Sequence, residues 1–187
     1  MALGQLYEQG IGTKQDRAKA LAYYSYAADN QEPYAFFKIG VYLEQGNHPE
    51  CVDGKPNREL AFQYFKEAQN KGDIEVENAF KEAFFKIGQY YQFGYGVVDK
   101  NLSQAIRSYE SAAADGHIES MNALGSLFFN EKQEYEQAFG WFSKAADRGY
   151  TRAITNLGIC YELGCGTDKD WDMSLKLYQE SSDKGHL

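Results

Sequence analysis

Apolar residues recur at intervals of three and four along most of the 187-residue chain, which is the spacing of one face of an α-helix. Within this pattern a first signature appears five times: an apolar residue, then Gly, then an aromatic residue or Leu three positions after the Gly. The five copies are Leu3-Gly4 with Tyr7, Ile39-Gly40 with Leu43, Ile87-Gly88 with Tyr91, Leu124-Gly125 with Phe128, and Leu157-Gly158 with Tyr161. Each copy predicts one helix, and the small Gly lets a paired helix approach closely.

A second signature, in which small residues flank aromatic or apolar ones, follows each first one. Four of its copies open on a residue that can accept hydrogen bonds from the first turn of a helix, and glycines that favour the left-handed conformation follow at the predicted helix ends. The predicted caps are Asp16, Asn57, Asn101 and Asp170, and the predicted end glycines are Gly72, Gly116, Gly149 and Gly185. The remaining copy contains Ala138 and Trp141. Each unit is therefore predicted to be a helix hairpin, and the chain to be all-α.

Glycine-containing turns connect the two helices in three of the predicted hairpins, and two insertions lengthen repeats two and three. The turns are Gly10-Ile11-Gly12, Gly94-Tyr95-Gly96 and Gly164-Cys165-Gly166. Residues 46–56 lengthen the turn of the second hairpin and predict a protruding loop, while residues 73–82 keep a helical composition and predict two extra turns on a first helix. Extra length in repeat proteins usually maps to one face and often to binding, so the 46–56 loop is a candidate whose role stays open.

The Leu-Gly-x-x-Tyr helix, the Gly-x-Gly turn and the Ala-rich second helix together make the chain similar to the Sel-one-like repeat (SLR) family, a relative of the tetratricopeptide repeats (TPR). The resemblance implies a right-handed α/α solenoid of helix-hairpin repeats, with bounds near 1–32, 33–73, 74–117, 118–150 and 151–187. Two local departures concern turn geometry: Asn130-Glu131-Lys132-Gln133 replaces the Gly-x-Gly turn of repeat four, and Ser174, Ser181 and Ser182 replace Ala in repeat five. Family members of this kind are adaptors that assemble other proteins.

The two ends of the repeat pattern carry an expectation of their own. The first helix of repeat one lacks its opening turn, and the sequence stops at Gly185-His186-Leu187, where a sixth repeat would begin. Solenoids need polar capping units at their ends, and neither end has one. We therefore expect a fragment of a longer repeat protein, or open ends that another chain covers by end-to-end association.

The resemblance also implies a binding surface, because the first helices of tetratricopeptide relatives line a concave groove with the face opposite the Leu, Gly and Tyr positions. The positions carried over are Tyr34, Phe37, Val41 and Glu44 in repeat two; Phe85, Gln89 and Gln92, with Glu82, in repeat three; Asn122, Ser126 and Phe129, with Glu119, in repeat four; and Thr155, Ile159 and Glu162, with Arg152, in repeat five. Repeat one adds Gln5 and Glu8. Phe37, Phe85 and Phe129 have two readings, as anchors for a bound peptide or as core residues between repeats.

Charge and cysteine content narrow the classes of partner. The formal net charge is −8, and no cluster of Lys or Arg that could neutralise a phosphate backbone appears, so nucleic acid is not an expected partner. No apolar segment is long enough to span a bilayer, and an intracellular, soluble protein is expected. Cys51, Cys160 and Cys165 form no framework spacing, and a Cys160–Cys165 bridge would suit a helical path poorly, so reduced thiols are expected.

No motif argues for catalysis, a cofactor or a metal. Gly94-Tyr95-Gly96 follows a helix instead of a strand and recurs between repeats, which favours a turn over a phosphate loop. Ser181-Ser182-Asp183-Lys184 contains a Ser-x-x-Lys without its companion motifs. His48 and Cys51, with Asp53 nearby, would supply only half of the four ligands of a structural zinc site. His117 and His186 follow helix-ending glycines at equivalent repeat positions, which favours a structural role.

The sequence thus predicts a non-catalytic scaffold that binds protein or peptide segments in a groove. The alternative is a regulatory or structural subunit that joins an enzyme or a larger complex through its open repeat ends. Stacking at the ends would favour the second reading, and a peptide in the groove the first.

Overall fold

The computed structural model describes residues 2–71 and 77–185, and across these ranges the chain forms ten α-helices and no β-strand. The helices are α1 (Ala2–Gln9), α2 (Arg17–Asp29), α3 (Pro33–Glu44), α4 (Arg58–Lys71), α5 (Glu77–Phe93), α6 (Leu102–Ala114), α7 (Ile118–Leu127), α8 (Tyr135–Ala146), α9 (Thr151–Leu163) and α10 (Trp171–Asp183). They divide into two compact units, residues 1–108 (unit 1) and 109–187 (unit 2), and the division falls within α6. The prediction of an all-α helix-hairpin repeat is confirmed.

The predicted start and stop signals of the second helices act as expected. The side chain of Asp16 accepts a hydrogen bond from the Lys19 N–H at 3.0 Å, and Asp170 accepts one from the Met173 N–H at 2.9 Å. Asn57 and Asn101 make the same bond three residues ahead. These bonds satisfy a donor that the first turn of a helix leaves free. Gly116, Gly149 and Gly185 adopt φ values of 80°, 81° and 80°, whereas Gly72 lies outside the described residues.

Four of the marker glycines, Gly4, Gly40, Gly125 and Gly158, lie against a ring of the second helix of their hairpin. A methyl group built on Gly40 would lie 2.6 Å from Cε1 of Phe65, and one on Gly158 would lie 2.6 Å from Cε1 of Tyr178. Gly4 meets Tyr24 in the same way, and Gly125 meets Phe142. The recurring Gly and the recurring ring are thus two halves of one contact, which holds the two helices of a hairpin together.

Repeat four turns without the Gly-x-Gly motif. Its first helix, α7, continues into a π-helical turn, Phe128–Lys132, and the chain then reverses at Gln133, which has a left-handed φ of 55°. A π turn inserts one residue into the helical path and is frequent at functional sites. Phe129 lies on this turn, so the departure noted in the sequence changes the setting of a predicted groove residue.

The two insertions differ in structure. Residues 46–56 contain a short 3-10 turn, Val52–Gly54, and the loop is tied back to α3 because Cys51 Sγ lies 3.5 Å from the Leu43 carbonyl oxygen. The second insertion extends the first helix of repeat three: α5 begins eleven residues before its marker Gly88, whereas α3, α7 and α9 begin seven residues before theirs. One extra turn is therefore present from Glu77, and residues 73–76 lie outside the described residues.

The three cysteines are free thiols, so no Cys160–Cys165 bridge forms. Cys160 is fully buried, and burial raises the pKa of its thiol to about 12, which keeps it protonated. Among the described helices, none combines the length and the apolar character that crossing a bilayer requires.

Candidate binding groove

In unit 1, the predicted groove residues of repeat two are distributed between the core and a half-buried surface. Phe37 is only 8% exposed, and its ring centroid lies 5.9 Å from that of Phe65. It therefore belongs to the core, as the second of its two readings held. Tyr34, Val41 and Glu44 are half-buried, so they are the residues of this repeat that a bound segment could reach.

Two carboxylates of unit 1 form ion pairs between successive repeats. Glu8 Oε2 lies 2.8 Å from Nζ of Lys38 and also accepts a hydrogen bond from Tyr24 Oη at 2.7 Å. Glu44 is paired in the same way with Lys86. In both cases the Glu lies four residues after one marker Gly and the Lys two residues before the next. We call this recurring Glu–Lys pair a rung, and each rung joins the first helices of neighbouring repeats.

Burial of the tyrosine beside the first rung perturbs its titration. The pKa of the Tyr24 hydroxyl is raised, first because burial penalises the phenolate and second because the hydroxyl donates to the Glu8 carboxylate. Burial also raises the pKa of Tyr42. Both groups are therefore protonated in the folded chain at any neutral or mildly alkaline pH.

Replacing Tyr24 by Phe is expected to weaken the alkaline destabilisation of the chain. Because the folded-state pKa of Tyr24 lies above that of the unfolded chain, its contribution is complete below about pH 10 and is lost as the pH rises further. Urea unfolding from about pH 8 to pH 11 should show a shallower fall in Tyr24→Phe than in the wild type. The exposed Tyr26, changed to Phe, should leave the slope unchanged; an equal slope in Tyr24→Phe would contradict the assignment.

In unit 2, three predicted groove residues come together at one cavity. Ser126, Phe129 and Ile159 line a cavity of about 100 Å³ together with three residues that the sequence reading did not include, Asn130, Phe142 and Asn156. The ring of Phe142 lies 6.5 Å from that of Phe129 and reaches the cavity from α8. The walls are thus apolar on one side and carry amide and hydroxyl groups on the other.

This cavity occupies the place where unit 1 has rungs. Phe129 lies four residues after Gly125, and Asn156 lies two residues before Gly158, so they stand at the rung positions of Glu and Lys. Neither can form an ion pair. The ring of Phe129 instead contacts Tyr135 at 5.3 Å between centroids, and Asn156 donates to Oδ1 of Asn122 at 2.9 Å. The absence of a rung and the presence of the π turn are the two features of unit 2 that accompany this open space.

Other predicted groove residues of unit 2 are held by bonds within the unit. The hydroxyls of Thr155 and Ser181 lie 2.7 Å apart, and Glu162 accepts a hydrogen bond from Tyr178 Oη at 2.6 Å. In unit 1, Phe85, Gln89 and Gln92 are half-buried. The half-buried groove residues are therefore a mixed set, in which Val41, Phe85, Phe129 and Ile159 are apolar and most of the others are polar.

The rungs were missed by the sequence reading although a signal for them was present. Lys38 and Lys86 both occur in the string Ala-Phe-Phe-Lys-Ile-Gly, and Glu8 and Glu44 share one repeat position. A search for opposite charges at fixed repeat offsets would have paired them. Asn130 and Asn156 carry no comparable signal, because each occurs once at its repeat position.

Two of the residues considered for metal or catalytic roles, His48 and His117, have structural roles here. His48 Nδ1 accepts the Glu50 N–H at 3.2 Å, and burial lowers the pKa of this imidazole. His117 caps α7, since its Nδ1 accepts the Ser120 N–H. In the part of the chain that the structure describes, no three His, Cys, Asp or Glu side chains come together as a metal-binding group. His186 lies outside the described residues.

Helix hairpins repeated with one marker Gly contact define an α-helical repeat protein of the SLR class. The profile of the Sel1 repeat matches residues 1–31, 33–73, 82–117, 118–150 and 151–186. The chain therefore belongs to the Sel1 repeat family, and five repeats are confirmed. Sel1 repeat proteins generally mediate protein–protein interactions and are generally non-catalytic scaffolds.

Similar proteins of known sequence include the chitin synthase regulator SKT5 of Saccharomyces cerevisiae, 25% identical over 94% of this chain and 31% of that protein. The DAP3-binding cell death enhancer 1 of Rattus norvegicus is 58% identical over 33 residues, which is 18% of this chain and 6% of that protein. The chain thus spans less than a third of the length of either relative.

Among solved structures, the c5321 protective antigen of uropathogenic Escherichia coli, which displays an SLR fold, superposes with a TM-score of 0.84 at 27% identity. That match covers 98% of this chain and 37% of the antigen. A Sel1 repeat protein from Oxalobacter formigenes gives a TM-score of 0.83 at 25% identity, over 98% of this chain and 69% of that one.

Proposed function

We propose that this chain is a non-catalytic adaptor that holds a protein segment against the predicted groove residues of its first helices, and that the unit 2 cavity is an anchoring point. The observation that carries the proposal is the convergence of Ser126, Phe129 and Ile159 on one cavity. Ser126 lies on α7 and Phe129 on the π turn that follows it, whereas Ile159 lies on the next first helix, α9. Ser126 and Ile159 each directly follow the marker Gly of their repeat. An apolar pocket with a few placed polar groups is the usual form of an anchoring site.

Electrostatics support a segment that is bound mainly through apolar and amide contacts. The carboxylates of Glu8 and Glu44 are already paired with lysines, and Glu162 is engaged by Tyr178. A carboxylate whose charge is balanced by a lysine of the same chain adds little attraction for a charged partner, because the pair carries no net charge. Affinity would therefore come from burial in the unit 2 cavity.

A specific observation also supports the alternative, a subunit that assembles through the outer face of its last hairpin. Leu175 is 70% exposed on α10, whereas Leu21, at the equivalent position of α2, is only 8% exposed in a helix that packs against α1 and α3. Trp171, also on α10, is 64% exposed. Trp171 and Leu175 are four residues apart on α10 and so share one helix face. Contiguous exposed apolar side chains of this kind mark an interaction surface. The name of the yeast relative, a regulator of chitin synthase, is compatible with either mode.

Two matched arginine substitutions separate the two modes. Peptides selected from a random display library on the wild-type chain should lose at least about tenfold in affinity on Ile159→Arg, because a guanidinium placed in the cavity fills it and leaves a charge without a partner. Leu175→Arg, on the outer face of α10, should leave their binding unchanged. Circular dichroism checks that both variants keep their helices. Peptides that bind Ile159→Arg as tightly as the wild type but no longer bind Leu175→Arg would show that the outer face of α10, and not the groove, is the binding surface.

A further inference from the structure

We infer that the unit 2 cavity binds one aliphatic side chain of the size of Leu, presented by an extended peptide segment whose backbone faces Asn130 and Asn156. This inference rests on the proposed function and gives it a chemical specificity. It follows from the volume of the cavity, from the character of its walls and from a comparison with the rungs of unit 1.

The volume of the cavity limits the anchor to a few heavy atoms. A dry cavity of about 150 Å³ lined by aliphatic and aromatic side chains admits benzene, which is about 25 Å³ for each heavy atom. The cavity here is about 100 Å³, which by the same measure accommodates about four carbons. The side chains of Leu and Ile have that size, whereas Ala leaves most of the space unfilled and Trp exceeds it.

The walls exclude a charged anchor. The cavity is lined by three apolar side chains, Phe129, Phe142 and Ile159, and by Ser126, Asn130 and Asn156, so none of the lining residues is charged. A Lys, Arg, Asp or Glu side chain would lose its hydration without gaining an opposite charge, which is strongly unfavourable. An aliphatic side chain loses only its contact with water, which is favourable.

The polar side of the cavity is matched to a peptide backbone. Asn156 donates one N–H to Asn122 at 2.9 Å, and Asn130 donates one N–H to the carbonyl of Ser126, also at 2.9 Å. Each amide keeps a second N–H and a carbonyl oxygen without a partner among the described residues. A peptide unit offers one donor and one acceptor, so it can bond to such an amide in both directions. The flanking backbone of the anchor residue is therefore the expected partner of Asn130 and Asn156.

The rungs of unit 1 indicate how the cavity could be closed. Glu8–Lys38 and Glu44–Lys86 occupy the same repeat positions as Phe129 and Asn156. Phe129→Glu combined with Asn156→Lys would copy into unit 2 a pair that the chain already uses twice. This double variant is expected to fold and to lack the cavity. Ser126→Leu is an independent variant that fills the cavity from α7.

The test is a titration of the full 187-residue chain with N-acetyl-leucine-N-methylamide, followed through the side-chain NH₂ signals of Asn130 and Asn156 by NMR. The expected dissociation constant is on the order of 1 mM, as the size of the probe dictates. The alanine analogue should bind about fiftyfold more weakly, because three buried carbons are lost. The tryptophan analogue should bind no better than the alanine one.

The variants decide the assignment. Saturable shifts of the Asn130 signals that disappear in both Phe129→Glu/Asn156→Lys and Ser126→Leu, while Leu175→Arg retains them, would support the inference. Absence of leucine-dependent shifts, shifts that survive in both cavity variants, or tighter binding of the tryptophan analogue would overturn it. The proposed function fails separately: it falls if display peptides ignore Ile159→Arg, and it survives the loss of this inference if groove-dependent peptides carry an aromatic or charged anchor.

Discussion

Replacing Phe65 by Ala is expected to lower the free energy of unfolding by about 3–5 kcal/mol, the range for large aromatic truncations in a core. Phe65 is fully buried, and its ring contacts those of Phe37 at 5.9 Å and Tyr90 at 6.1 Å. It also covers Gly40, where no side chain exists to fill the space left by the ring. A loss of this size is a large part of the total stability of an ordinary domain, which is about 5–15 kcal/mol.

Phe93 provides the matched control for this truncation. It is 57% exposed at the end of α5, so Phe93→Ala should cost less than about 1 kcal/mol, as surface substitutions generally do. Urea unfolding followed by circular dichroism measures both variants through their midpoints. Similar midpoints for the two variants would show that the Phe65 ring is not the centre of the unit 1 core.

Gly125→Ala and Gly140→Ala are expected to change stability in opposite directions. A methyl group on Gly125 would lie 2.5 Å from both Cδ1 and Cε1 of Phe142, whereas one on Gly140 meets nothing within 4 Å. Both glycines are inside helices, where Ala is favoured over Gly by about 1 kcal/mol. At Gly140 the substitution should raise the free energy of unfolding by nearly all of this amount. At Gly125 overpacking, which typically costs about 1–3 kcal/mol, exceeds it.

The expected net result is a loss of up to about 2 kcal/mol for Gly125→Ala and a gain of up to about 1 kcal/mol for Gly140→Ala. Thermal unfolding monitored at the helical circular-dichroism band is sufficient, because the two signs differ. Stabilisation by both substitutions would mean that Phe142 moves aside easily, and that the marker Gly is not required for the close approach of α7 and α8.

The repeat organisation could be predicted because it depends on local and periodic properties. The caps at Asp16 and Asp170 bond within one helical turn, so nearest-neighbour chemistry is enough to find them. The marker glycines were recognised from their recurrence, and the structure shows the ring that Gly4, Gly40, Gly125 and Gly158 each accommodate. Phe37 had two readings in the sequence, since an aromatic residue on a helix face suits either a core or a groove.

The candidate site could be predicted only in part, because its cavity lies where unit 2 lacks the Glu–Lys rung that unit 1 has at the same repeat positions. Ser126, Phe129 and Ile159 were found from their repeat positions, but Phe142 comes from a second helix that the groove pattern does not include. Asn156 was missed because the groove pattern does not include its repeat position, which in unit 1 is occupied by the lysine of a rung. An unpaired rung position has no signature until the paired ones, Glu8–Lys38 and Glu44–Lys86, have been seen in three dimensions.

The sequence by itself determined the helix hairpins, their caps and the family to which they belong, since these follow from periodicity and from bonds between residues close in the chain. Tertiary structure alone decided which groove residues are buried, where charges pair between repeats and where space remains between them. The reason is physical: burial, ion pairing and cavity volume are properties of surfaces that meet only after folding. Within unit 2, Phe129 and Asn156 stand at the positions of a rung, the π turn inserts one residue, and a cavity lies beside them.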